Sequence, residues 1–110
     1  MAATVVEVKS YQIRHFSTRK YSEGPTIILY NAAGRLAGNV NFFDDSAVLP
    51  PATMAPGVGG LIRLYFGRSA FPELVEMLRT EKPVSIVYQP EGANNSTLET
   101  GIEPVGEGIG

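Results

Sequence analysis

The sequence predicts an α+β fold: about six mostly antiparallel strands forming a curved sheet, small barrel or sandwich, with one α-helix at about 70–80 between the fourth and fifth strands. Three observations carry this prediction. Leu61–Tyr88 reads as strand, helix, strand; the other apolar runs are short and bounded by Gly, Pro or Asn; and 110 residues suffice for one core but not two. The domain expectation is accordingly a single unit over 1–110, with a long Gly/Pro-rich loop at 44–60 and a flexible tail at 104–110.

Thr4–Phe16 reads as a strand with a defect, because Val6 and Val8 share one parity while Tyr11 and Ile13 share the other. A period-2 pattern that changes phase implies a bulge near Lys9 and Ser10, which would bend the strand between sheets or around a barrel corner. Ser17–Pro25 is polar and basic, and so is expected to be a loop. Thr26–Tyr30 and Leu36–Phe43 follow as strands. Asn31 suits the first position of a type I turn between them, and Gly34 supplies the left-handed conformation three residues later. Alternation puts Leu36, Gly38, Val40 and Phe42 on one face of the second strand and Ala37, Asn39, Asn41 and Phe43 on the other.

Asp44–Gly60 combines prolines and glycines with Val48, Leu49, Met54 and Val58. A disordered linker is normally more polar, so this segment is expected to pack on the domain or on a partner. Leu61–Phe66 is the next strand. In Ser69–Thr80, Phe71, Leu74, Val75 and Leu78 fall at i, i+3, i+4 and i+7, one face of a helix. Ser69 is placed as N-cap, Pro72 lies in the first turn, and Pro83 forbids continuation. If the stripe is fully buried, Leu78→Ala costs about 2–5 kcal/mol. Val84–Tyr88 and Thr97–Glu103 complete the strands.

Composition removes several chemistries. The chain has no cysteine, hence no disulfide, thiol nucleophile or cysteine metal site. MAATVVEVKS lacks a signal-peptide core and no apolar run approaches a membrane span, so a cytoplasmic protein without membrane contact is expected. A net charge of −2 argues against a nucleic-acid partner. The charge is uneven, however: Lys9, Arg14, Arg19, Lys20 and Arg35 face only Glu7 and Glu23 within residues 1–43, and the remainder is acidic.

No catalytic constellation stands out, and no cofactor or metal is expected. His15 is the only histidine, and a hydrolase or isomerase would have to combine it with Asp44 or Asp45. None of the serines sits in a nucleophile elbow, and neighbouring carboxylates on an extended chain point to opposite faces. Gly57, Gly59 and Gly60 precede a strand rather than a helix, unlike a phosphate loop. Gly67-Arg68-Ser69 is the better anion candidate, because strand becomes helix there and amides are left to bind. A small anionic ligand such as a phosphate or nucleotide is expected either near Arg68 or along the basic strip of Arg14, Arg19 and Lys20.

The ending from Thr100 to Gly108, TGIEPVGEG, is similar to that of short bacterial proteins without an assigned activity, and the similarity implies no functional residue. The reading that fits best is therefore a non-enzymatic binding or accessory module engaging a protein partner through Val48, Leu49, Met54 and Val58. A homodimer is also expected, since several short strands leave edges that a two-fold axis can pair. Light scattering that returned a clean monomer at high concentration would count against it.

Overall fold

The computed structural model describes residues 3–17, 23–55, 60–92 and 95–102. Eight strands and one helix occur among them: β1 (Thr4–Val8), β2 (Ser10–Arg14), β3 (Glu23–Tyr30), β4 (Leu36–Phe43), β5 (Thr53–Met54), β6 (Ile62–Gly67), α1 (Phe71–Thr80), β7 (Val84–Tyr88) and β8 (Thr97–Thr100). They form a three-stranded sheet ordered β1-β7-β8 and a five-stranded sheet ordered β2-β3-β4-β6-β5. The α+β class holds, and the strands form no closed barrel.

The chain changes sheet at Lys9, where the phase of the apolar pattern breaks. Val8 pairs with Val84 in one sheet, and Ser10 pairs with Tyr30 in the other. The Lys9 amide already donates to the Tyr30 carbonyl at 2.9 Å. Both parities are thereby satisfied, since Val6, Val8, Tyr11 and Ile13 all contribute to one core. That core lies between the sheets and centres on Ile27, Leu29, Val40, Phe42, Ile62, Leu64 and Ile86, each almost completely buried.

Several expectations need correction. The count rises to eight because the first run splits at Lys9 and β5 lies inside the 44–60 segment. The helix therefore stands between the sixth and seventh strands, not the fourth and fifth. Its flanking strands, β6 and β7, belong to different sheets. The parallel pair is instead β4 with β6, from Gly38↔Ile62 to Phe43↔Gly67, which local pattern cannot reveal. β3 begins at Glu23, inside the span expected to be a loop. Expectations for the 104–110 tail and for Gly57 and Gly59 lie outside the described residues.

The β3–β4 turn forms as its residues require. The Gly34 amide donates to the Asn31 carbonyl at 2.9 Å, and Gly34 has φ +74°. Asn31 Oδ1 accepts from the Ala33 and Arg35 amides, both at 3.0 Å. A register shift between Leu29 and Tyr30 then inverts the expected alternation at the start of β4. Ala37 enters the core while Leu36 is exposed, because a bulge turns the next side chain inward.

The helix also differs in its start and its depth. A 3₁₀ turn, Arg68–Ala70, precedes it, and neither this turn nor α1 has a side-chain cap from its own N-cap residue. Ser69 is not the cap: its amide donates to Asp45 Oδ1 at 3.0 Å, so a distant carboxylate holds the turn. The stripe of α1 packs against the core, but no helix residue is fully buried. Leu78→Ala is therefore expected to cost only about 1–2 kcal/mol, because half-burial halves the transfer term. Chemical denaturation reads this directly, and a loss near the fully buried value would contradict the shallow seating.

Candidate functional site

Three regions place the candidate residues. The first lies where β2, β3 and the 3₁₀ turn meet. His15, Phe16, Gly24, Pro25 and Arg68 line a shallow cleft there. The fold makes room for the arginine through Gly24: a Cβ at that position would lie 3.1 Å from Arg68 Nε and 3.0 Å from the Phe42 carbonyl oxygen. His15 stands edge-on to Phe71, with centroids 5.8 Å apart at 71°, and Phe71 stands edge-on to Phe42 at 5.1 Å and 85°. A chain of rings thus links the cleft to the core.

Carboxylates flank this cleft but already have local partners. Asp44 Oδ2 accepts from the Ser46 hydroxyl. That bond holds the Asp44 carboxyl below its ordinary value, with the Ser46 and Asp45 amides and the Arg68 guanidinium acting in the same sense and desolvation opposing them. Asp45 is taken by the Ser69 amide. Among the described residues no hydrogen bond or ion pair joins His15 to Asp44 or Asp45. The amide expected to bind an external anion at Gly67-Arg68-Ser69 is filled by Asp45, an internal one. Arg14 ends β2 opposite Thr26, and Arg19 and Lys20 lie outside the described residues.

The second region is the free edge of β6. β5 pairs with it only at Thr53↔Arg63 and Met54↔Ile62. Continuing that register would bring Pro51 opposite Tyr65 and Pro50 opposite Phe66. Prolines have no N–H to donate, so the ladder stops after two residues. A groove of about 190 Å³ is lined by Leu49–Ala52, Leu64–Phe66 and Ser96. Leu49 of this groove is 40% exposed, its chain neighbour Val48 95%, and Met54 of β5 37%. Val58 lies outside the described residues.

The third region is a larger groove of about 550 Å³ between the β1–β2 switch and the end of α1. Its charges are mixed, with Glu7 and Lys9 paired at 3.0 Å and Arg79, Glu81 and Lys82 on the opposite wall. No helix among the described residues is long and apolar enough to cross a membrane, and no group of three or more potential ligands for a metal ion occurs among them.

Compared with protein-family profiles, curated proteins and solved structures, the chain matches none. Geometry alone must therefore carry the functional reading. Two features escaped the sequence. Gly24 looked like a loop glycine because nothing local shows an arginine crossing it. The polar row of β4 was visible as alternation, but only the sheet order shows what lies beside it.

Proposed function

We propose that the protein is a non-enzymatic binding module that engages an extended apolar segment of a partner protein along the β6 edge. The observation supporting this is the placement of Val48, Leu49 and Met54, three apolar side chains left outside the core beside a strand edge that β5 covers for two residues. A solvated aliphatic residue alone is unremarkable. Here Leu49 lines a groove with room for one aliphatic side chain, next to a strand able to accept a further one, which is the geometry of strand addition.

Deletion of the whole 47–58 segment would be a poor test, because Ala52 packs on the core and Thr53–Met54 is paired. Paired substitutions Val48→Asp and Leu49→Asp leave the fold in place. Selection from a displayed peptide library should enrich alternating apolar sequences on the native protein, and the double variant should bind them at least about tenfold more weakly, a charge being desolvated against an apolar anchor. Equal binding by both proteins, or amide shifts confined to regions away from Leu64–Gly67, would overturn the reading.

A second reading, capture of a small anion, is favoured by Arg68 seated over Gly24 beside His15. Under it, phosphate or nucleotides raise the melting temperature of the native protein, and Gly24→Ala, which crowds the guanidinium, removes that rise. Absence of stabilisation by every anion in such a screen rejects it.

A further inference from the structure

We propose that the outer face of the five-stranded sheet binds single-stranded nucleic acid. The three-stranded sheet and α1 both pack on the other face, through Val84, Ile86, Leu98 and the half-buried helix stripe. Two adjacent rows cross the outer side, on which no further strand or helix packs among the described residues, although Thr26 within the first row is itself buried. One runs Arg14, Thr26, Asn41, Tyr65 and the next Gln12, Ile28, Asn39, Arg63, each neighbour being a register partner. At about 4.8 Å per strand, each row spans about 14 Å, the reach of a few nucleotides.

Charge selects the partner. Glu73 and Glu76 lie on α1 and Glu7 and Glu99 on the other sheet, while Asp44 and Asp45 follow Phe43 at the end of β4, where Asp45 is held by the Ser69 amide. Across β2–β6 the charged side chains among those described are Arg14 and Arg63, with Arg35 in the β3–β4 turn. The one acidic residue in these strands, Glu23, is the backbone partner of Phe43, at the end of the sheet where the Phe43 and Tyr65 rings meet. A net charge of −2 averages this segregation away. The cations stand at opposite ends of the two rows, so a phosphate backbone can follow the diagonal between them.

The remaining groups suit bases. Tyr65 and Phe43 lie side by side with ring centroids 5.8 Å apart, a platform on which any base can stack. Asn41 Nδ2 donates to Asn39 Oδ1 at 2.7 Å, the Thr26 hydroxyl donates to Asn41 Oδ1 at 3.3 Å, and the Tyr30 hydroxyl donates to Gln12 Oε1 at 3.3 Å. These bonds hold an amide row in place to meet base edges. A protein-binding sheet face would be more apolar than this one, in which Ile28 is the only aliphatic residue of the two rows. A duplex would hide its base faces from the rings.

Fluorescence anisotropy of labelled oligo(U), oligo(dT) and a duplex of equal length, with the full chain, tests the proposal. Both single strands should bind at low salt, at least about tenfold tighter than the duplex, and the tighter of the two identifies RNA or DNA as the favoured source. Arg63→Glu, an exposed change, and Tyr65→Ala should each weaken binding at least about fivefold. Arg14→Ala should make the slope of log affinity against log salt shallower by about 0.7, one neutralised phosphate. No binding at low salt, equal affinity for duplex, or full affinity in Arg63→Glu would overturn it. So would loss in Arg68→Ala without loss in Arg63→Glu, which would place the phosphate in the His15 cleft. Amide shifts at Asn41 and Tyr65 with a neutral oligosaccharide in place of nucleic acid, or self-association abolished by Tyr65→Ala, would likewise refute it.

Discussion

Gly38→Val should leave the protein without a cooperative unfolding transition. Gly38 sits in β4 opposite Ile62 of the parallel strand β6 and faces Ile86 of the other sheet. A Cβ there would collide with the Ile62 carbonyl oxygen and lie 3.0 Å from Ile86 Cδ1. The oxygen belongs to a neighbouring backbone in the sheet, so it cannot swing aside as a flexible side chain would. Alanine alone should cost about 3 kcal/mol, the upper range for overpacking, and valine more. Against a total of about 5–15 kcal/mol for a domain, the valine protein is expected to be insoluble or molten. Urea titration of Gly38→Ala is the quantitative check. A loss below about 1 kcal/mol would mean that the Ile62 carbonyl does not approach Gly38 this closely.

Phe42→Ala should cost about 3–5 kcal/mol. Phe42 is completely buried, lies 6.3 Å from the Phe66 ring and meets Phe71 edge-on at 5.1 Å. It is the anchor that α1 uses, because the helix buries no residue of its own. The cavity would therefore loosen the helix start as well as the sheet. Hydrogen exchange should show amides of 71–75 losing protection disproportionately to those of β7. Leu78→Ala, by contrast, should leave the helix start protected. If both variants lost equal stability and equal protection, α1 would be seated more evenly than the geometry indicates.

The parts of the fold that were legible in the sequence depend on near neighbours. The helix boundary at Thr80 follows from the apolar spacing and Pro83. The β3–β4 turn follows from Asn31 and Gly34, and the break at Lys9 from a change of parity. Asp45 could not be foreseen as the partner of the Ser69 amide, since 24 residues separate them. The His15 cleft could be suspected only as two separate residues, His15 and Arg68. Their approach over Gly24 depends on β2, β3 and the 3₁₀ turn ending at one corner. The outer sheet face was hardest to see, because a net charge sums over a surface that the strand order divides.

Local chemistry determined on its own that this chain makes short strands and one amphipathic helix, without thiols and with a single imidazole. Those features depend on spacing of 2 or 3.6 residues and on the backbone freedom of Gly and Pro. Tertiary structure decided that β4 and β6 run parallel, that the helix is seated at half depth, and that arginines, rings and amides share one face of the five-stranded sheet. Strand order and register arise from which surfaces pack best between distant segments, and no local window records that competition.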